Sequence, residues 1–181
     1  VKVDGGVGGD LSLVPFGAKQ AETDGYDGVW ASEINVDPFL TLLLAAEHTE
    51  HIEIGTNIAV AFARNPMTLA QSAHDLQRFS GGRFLLGIGP SGPRVVEGWY
   101  GVPYGRPMTR TREYIDIIRQ IARRQAPLRH EGVHYQIPYK GADGTGLGRP
   151  MQSILHADEQ LRIYTAAVTP AGLSTAAELA D

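Results

Sequence analysis

Three dipeptides, Asp37-Pro38, Asn65-Pro66 and Thr169-Pro170, each close an extended apolar stretch and open an amphipathic one. In each, a capping oxygen precedes a proline whose missing N–H costs nothing in the first turn of a helix. A chain punctuated this way alternates strand with helix. That confines it to a parallel sheet with helices outside, either an open doubly wound sheet or a barrel.

The units follow in order. Gly28–Ala31 (GVWA) is a short apolar strand leading to Glu33, and DPFLTLLLAAEHTE is the helix after it. Ile52 to Val60 forms the next strand. The helix from Asn65 keeps Met67, Ala70, Ala73 and Leu76 on one face and stops at Gly81-Gly82, where the backbone is permissive. Arg83 to Ile88 is another strand. Tyr114, Ile117, Ile118 and Ile121 mark a further helix, with Arg123 and Arg124 in its last turn complementing the dipole.

Gln125 to Gln160 carries Pro127, Pro138, Pro150 and the glycine-rich GADGTGLGRP, and forms a loop-rich insertion at about 125–160. Leu161 to Val168 resumes the strand pattern, and Ala171, Leu173, Ala176 and Leu179 line a closing helix. With Val1 to Asp4 as the first strand, about five units are present against the eight of a full barrel. The expectation is an α/β chain, a TIM-barrel (β/α)8-like fold, forming one partial barrel domain over 1–181. The pattern is still running at Asp181, so the open edges call for a partner chain or for the rest of a longer protein.

With 43% hydrophobic and 20% charged residues, the 181-residue chain can bury one sizeable core. A net charge of -4 leaves no basic field for nucleic acid. The absence of cysteine removes disulfides and thiol catalysis, and suits the cytoplasm. No apolar run reaches the roughly 18 residues of a membrane span. The partner expected is a small molecule.

Two motifs invite stronger readings. His130-Glu131-Gly132-Val133-His134 matches H-E-x-x-H, which binds zinc when a helix brings both imidazoles to one face. Here Gly132 interrupts it, Pro127 and Pro138 flank it, and Val133, Tyr135 and Ile137 alternate as in a strand. A hairpin-like segment, with no metal, is the better reading. Gly87-Ile88-Gly89-Pro90-Ser91-Gly92 matches the dinucleotide fingerprint G-x-G-x-x-G. Pro90 deletes one N–H donor and the motif lies in about the fourth unit, so a glycine-rich loop lining a barrel site explains it as well. Glu33, at the carboxyl end of a strand, stands where ligands bind in parallel α/β proteins. His48, His51 and His74 read as surface or packing residues, and no Ser-His-Asp set assembles.

GYDGVWASE, DPFLTLLLAAEHTEHIEIGTNIAVAFARNPMTLA, DLQRFSGGRFLLGIG and LRIYTAAVTPAGLSTAAELAD together resemble the bacterial luciferase-like monooxygenase superfamily, particularly its F420-dependent oxidoreductase branch. The resemblance implies a longer TIM barrel, usually dimeric, that holds coenzyme F420, or FMN in its place, across the carboxyl ends of the strands. By this resemblance Glu33 is the acidic residue approaching the deazaflavin and the candidate catalytic group. Asn57-Ile58 is the bulge, often a non-proline cis peptide, that presses on the ring. Gly89 belongs to the loop lining the site, and Val168, Thr169 and Ala171 form the helix start that meets the cofactor phosphate.

The chain departs from that pattern in three places, one of them being the last three barrel units, which are expected to bring substrate and further cofactor contacts and do not follow Asp181. Ile34 stands where some relatives carry a basic histidine, and Pro90, Ser91 and Gly92 occupy the loop where they place an acidic glutamate. The function implied is hydride transfer to or from a small organic substrate, with no acid or base assigned. The competing expectation is a non-catalytic half-barrel that binds a flavin-like ligand or a partner subunit. A homodimer or larger assembly would cover the open edges.

Overall fold

A computed structural model describes residues 1–181. Five parallel strands follow one another across a single sheet: β1 (Asp4–Gly6), β2 (Gly28–Ala31), β3 (Glu53–Thr56) with its continuation β4 (Ala59–Val60), β5 (Phe84–Gly89) and β8 (Arg162–Thr165). Every pairing in it is parallel, and β5 lies between β3–β4 and β8. The connecting helices are α1 (Val14–Thr23), α2 (Pro38–Glu47), α3 (Pro66–Phe79), α4 (Pro93–Gly98), α5 (Pro107–Arg123) and α6 (Pro170–Leu179). A small antiparallel hairpin, β6 (His130–Glu131) and β7 (Gln136–Ile137), falls inside the insertion. This is a partial TIM barrel.

The helix starts obey the capping rule. The Asp37 carboxylate accepts the Phe39 N–H at 2.8 Å, Asn65 accepts that of Met67 at 2.8 Å, and the Thr169 hydroxyl accepts that of Gly172 at 3.1 Å. Each such cap stabilises its helix by about 1 kcal/mol. At the end of α3, Gly81 and Gly82 take the positive φ angles of 66° and 90° that stop the helix.

Strand alternation divides the sheet into two faces. Val29, Ile54, Phe84, Leu86, Ile88 and Ile163 point outward and bury themselves against Leu42 and Ala45 of α2, Leu69 and Ala73 of α3, and Tyr114, Ile117 and Ile118 of α5. The inward face carries Trp30, Gly55, Leu85, Gly87 and Tyr164 in neighbouring registers. At its amino end Glu53 bonds Lys2 at 2.7 Å and Arg162 at 3.0 Å. Behind that end, Arg83 donates to the carbonyls of Ala46, Thr49, Ile52 and Ser80 and to the Thr49 hydroxyl, joining α2, β3 and β5.

The structure corrects the sequence-based boundaries in three places. The first strand is Asp4–Gly6, not Val1 to Asp4, because pairing with β2 recruits the two glycines. Asn57 and Ile58 split the strand expected from Ile52 to Val60. The strand expected from Leu161 to Val168 is confined to Arg162–Thr165. Helix α1 was not anticipated, although Asp10 caps the 3-10 turn leading into it and Pro15 lies in its first turn.

The insertion is pinned to α5. The Glu113 carboxylate accepts the N–H groups of Val133, His134 and Tyr135 at 2.8, 2.9 and 3.0 Å. Burial opposes its charge, yet these three donors hold its pKa below the ordinary carboxylate value. Arg110 lies over the Phe62 ring and donates to the Tyr135 hydroxyl at 3.0 Å.

Candidate active site at the strand ends

The carboxyl ends of the strands surround a cleft of about 540 Å³. Asn57 and Ile58 lie in it, and their shared peptide bond is cis. Trp30 and Tyr164 reach into it from opposite parts of the inner face, their rings stacked with centroids 6.2 Å apart. Side-chain bulk is excluded where the backbone crowds: a Cβ on Gly87 would overlap the Thr56 carbonyl oxygen, and one on Gly89 would lie 3.1 Å from Ile58.

The bulge is gripped from behind by the end of β2. The Ser32 hydroxyl donates to the Asn57 carbonyl at 2.7 Å, and the Glu33 N–H donates to the Ile58 carbonyl at 3.3 Å. One oxygen of the Glu33 carboxylate accepts the Val60 N–H at 2.7 Å and the Arg64 Nε–H at 3.3 Å, and the other accepts from Arg64 Nη2 at 2.9 Å. The same Nη2 reaches Asp37 at 2.9 Å. Burial disfavours the Arg64 charge, but its bonds to Glu33 and Asp37 raise its pKa above the ordinary value. Burial also raises the pKa of the nearby Tyr100 phenol, as does the charge of Glu33.

The residues singled out from the sequence therefore fall into three groups. Asn57 and Ile58 line the cleft, with Gly89 packed beneath Ile58. Glu33 sits behind the bulge with its side chain only 12% exposed. Val168, Thr169 and Ala171 are at the start of α6, following Ala166 on the cleft wall. Ile34 is exposed and lines a smaller groove that shares Gly6, Trp30 and Ser32 with the cleft.

Sequence reasoning missed Trp30, Ser32, Arg64 and Tyr164. The alternation within GVWAS and RIYT sets Trp30 and Tyr164 opposite the buried Val29 and Ile163, which was an available signal for the aromatic pair. Arg64 gave no local signal, because its partners lie 31 and 27 residues away. His130 and His134 fall in the hairpin, as strand alternation indicated. His130 bonds Asp116 through Nδ1 at 3.1 Å. No group of three or more His, Cys, Asp or Glu side chains is arranged to hold a metal ion, and no helix is long and apolar enough to cross a membrane.

Known proteins share this architecture. The F420-dependent tetrahydromethanopterin reductase of Methanopyrus kandleri superposes on 99% of the chain with a TM-score of 0.80 and 24% identity, the match taking in 55% of that enzyme. The FMN-bound oxygenating constituent of 3,6-diketocamphane monooxygenase from Pseudomonas putida superposes on 86% of the chain and 45% of its own length, with a TM-score of 0.68 and 22% identity. At these identities the likeness is one of fold. In sequence, a Mycobacterium tuberculosis protein named a putative coenzyme F420-dependent oxidoreductase is 40% identical over 163 residues, covering 89% of this chain and 47% of that one. The chain thus spans about half the length of this curated relative. The model of the luciferase-like monooxygenase family matches residues 8–181, nearly the whole sequence, and the chain belongs to that family.

Proposed function

We propose that this chain supplies the cofactor-binding part of an F420-dependent oxidoreductase that moves hydride to or from a small organic substrate, with FMN as the alternative cofactor. The observation that carries the reading is the cleft at the strand ends, with Asn57 and Ile58 on one side and the Trp30–Tyr164 stack on another. Its volume falls within the range of about 300–1,000 Å³ common to cofactor and ligand sites. Gly87 lines the cleft, and its missing side chain lets the Thr56 carbonyl pack against β5. Sequence identity to the Mycobacterium tuberculosis protein so named favours the deazaflavin.

Asn57 and Ile58 would orient the ring, Trp30 and Tyr164 would shield it from water, and Gly89 would let the Ile58 side chain seat against β5. Val168, Thr169 and Ala171 would hold the phosphate at the α6 start, where the Ala171 N–H is unpaired while that of Gly172 is taken by the Thr169 cap. When bound, the deazaflavin supplies the carbon that takes or gives the hydride, so the protein contributes binding and orientation. The site residues themselves supply no assigned acid or base.

The same reading includes a cytoplasmic homodimer or larger assembly. Leu40 and Leu43 of α2 and Phe79 of α3 expose their side chains along one apolar groove, a surface that a second copy would cover. A second functional reading, a non-catalytic half-barrel that binds a flavin-like ligand or a partner subunit, draws on the unpaired outer sides of β1 and β8.

The test is a titration of the purified protein with F420 and, separately, with FMN, followed by absorbance and fluorescence. Saturable binding of F420 with a perturbed deazaflavin spectrum is expected. Binding of FMN alone would replace the cofactor, and binding of neither would reject the cleft as a site complete in this chain.

A further inference from the structure

We infer that Glu33 and Arg64 act together as a positioning clamp on the cleft wall, and that the Glu33 carboxylate serves to hold backbone in place. Its carboxylate is engaged at both oxygens, one by the Val60 N–H and Arg64 Nε, the other by Arg64 Nη2, and the side chain is nearly enclosed. A carboxylate bonded to a guanidinium and a main-chain N–H is fixed in place by charge-assisted bonds, and Glu33 is not among the residues that line the cleft.

What the clamp holds is the segment facing the cleft. Ser32 fixes the Asn57 carbonyl, the Glu33 N–H fixes the Ile58 carbonyl, and the Glu33 carboxylate fixes the Val60 N–H. Two adjacent residues at the end of β2 thus restrain main-chain groups on both sides of Ile58. Arg64 carries that restraint to the rest of the fold. It reaches Asp37 at the start of α2, lies 5.3 Å from the centre of the Phe39 ring, and its carbonyl accepts the Tyr114 hydroxyl of α5 at 3.2 Å. The carboxylate is therefore placed by two helices as well as by its own strand.

The consequence for cofactor binding rests on the proposed F420 site, whereas the clamp can be tested without it. Amide exchange at Val60, measured by NMR on the ligand-free protein, reports the Glu33 bond directly, and exchange at Leu86 in the neighbouring strand reports the fold as a whole. Glu33→Ala is expected to speed exchange at Val60 by about tenfold or more and to leave Leu86 unchanged, the size expected for losing a bond to a charged group. Glu33→Gln keeps an acceptor for Val60 and should restore most of the protection. Arg64→Ala should speed Val60 exchange as well, and the double variant should add little to the larger single effect. F420 affinity should fall about tenfold in Glu33→Ala and recover in Glu33→Gln, since the bond to Val60 is what the glutamine keeps.

Unchanged Val60 exchange in Glu33→Ala, or strictly additive effects of the two alanines, would overturn the clamp. So would an affinity loss as large in Glu33→Gln as in Glu33→Ala, which would mean that F420 needs the charge itself. If the wild-type protein bound no F420 while the exchange pattern held, the clamp would stand and the cofactor assignment would fall. If Glu33→Ala did not fold, Arg64→Lys would serve, since a lysine cannot span both carboxylates with a planar fork; faster Val60 exchange supports the clamp and unchanged exchange rejects it.

Discussion

The Trp30 indole occupies the space directly above Gly55 and stacks against Tyr164, with 25° between the ring planes. The absence of a side chain on β3 is what lets an aromatic residue of β2 extend across it toward the far edge of the sheet. A methyl group at position 55 would fall within the ring. Gly55→Ala should therefore displace the indole and destabilise the fold by about 1–3 kcal/mol, the usual cost of overpacking. A lowered urea midpoint together with a shifted tryptophan emission spectrum would show it; unchanged emission would mean that the ring is not held there.

Arg83 joins three elements through five hydrogen bonds. Arg83→Ala would strip partners from the carbonyls of Ala46, Thr49, Ile52 and Ser80 together, and leaving buried groups unpaired costs about 1–3 kcal/mol each where water cannot enter. A loss of several kcal/mol, or failure to fold, is expected in chemical denaturation. Arg83→Lys should recover only part of it, since an ammonium cannot reproduce the planar fan of donors.

His74 is 7% exposed, and neither ring nitrogen has a hydrogen-bond partner. Asp75 lies 3.7 Å from Nδ1, beyond a good bond, and His156 stacks on the ring with centroids 6.3 Å apart. Replacing the imidazole with an apolar group of similar size removes the desolvation penalty of two polar atoms. His74→Leu should leave stability unchanged or raise it by about 1 kcal/mol, read as a higher melting temperature. A clear fall would show that the nitrogens are satisfied by bound water.

Acid should unfasten the hairpin. Burial works to raise the Glu113 pKa, but the N–H groups of His134, Val133 and Tyr135 outweigh it and leave the folded value depressed. A depressed carboxylate contributes stability that is fully present above its unfolded pKa, about 4.3, and is lost as pH falls through the lower folded value. The stability gap between wild type and Glu113→Gln, measured by denaturant titration, should hold from neutral pH to about 5 and narrow below about 4.3. A gap that widened on acidification would refute the sign.

The alternation of strands and helices could be read from the sequence because capping and periodicity are local. Asp37-Pro38, Asn65-Pro66 and Thr169-Pro170 each begin a helix as expected, and the apolar stripe of α5 meets the sheet as its spacing implied. The glycines of β1 look like a loop until β2 pairs with them, and α1 follows a Gly8-Gly9 pair that masked its start. For the cleft, family resemblance located Asn57 and Ile58, whereas the Arg64 fork and the Trp30–Tyr164 stack depend on contacts between distant strands. Those contacts exist only once the register is set: local alternation turns Trp30 and Tyr164 to the inner face, but it does not say that they meet, and nothing local marks Arg64.

The fan of bonds around Arg83 lies at the opposite end of the strands from the cleft. The fold thus has a fixed foot and an open crown, whose loops can change length or chemistry without disturbing the joint that sets the strands side by side. An engineer seeking a new substrate can therefore diversify the segments following β1 and β5 as separate modules and treat Arg83 with its four carbonyls as the part to leave alone.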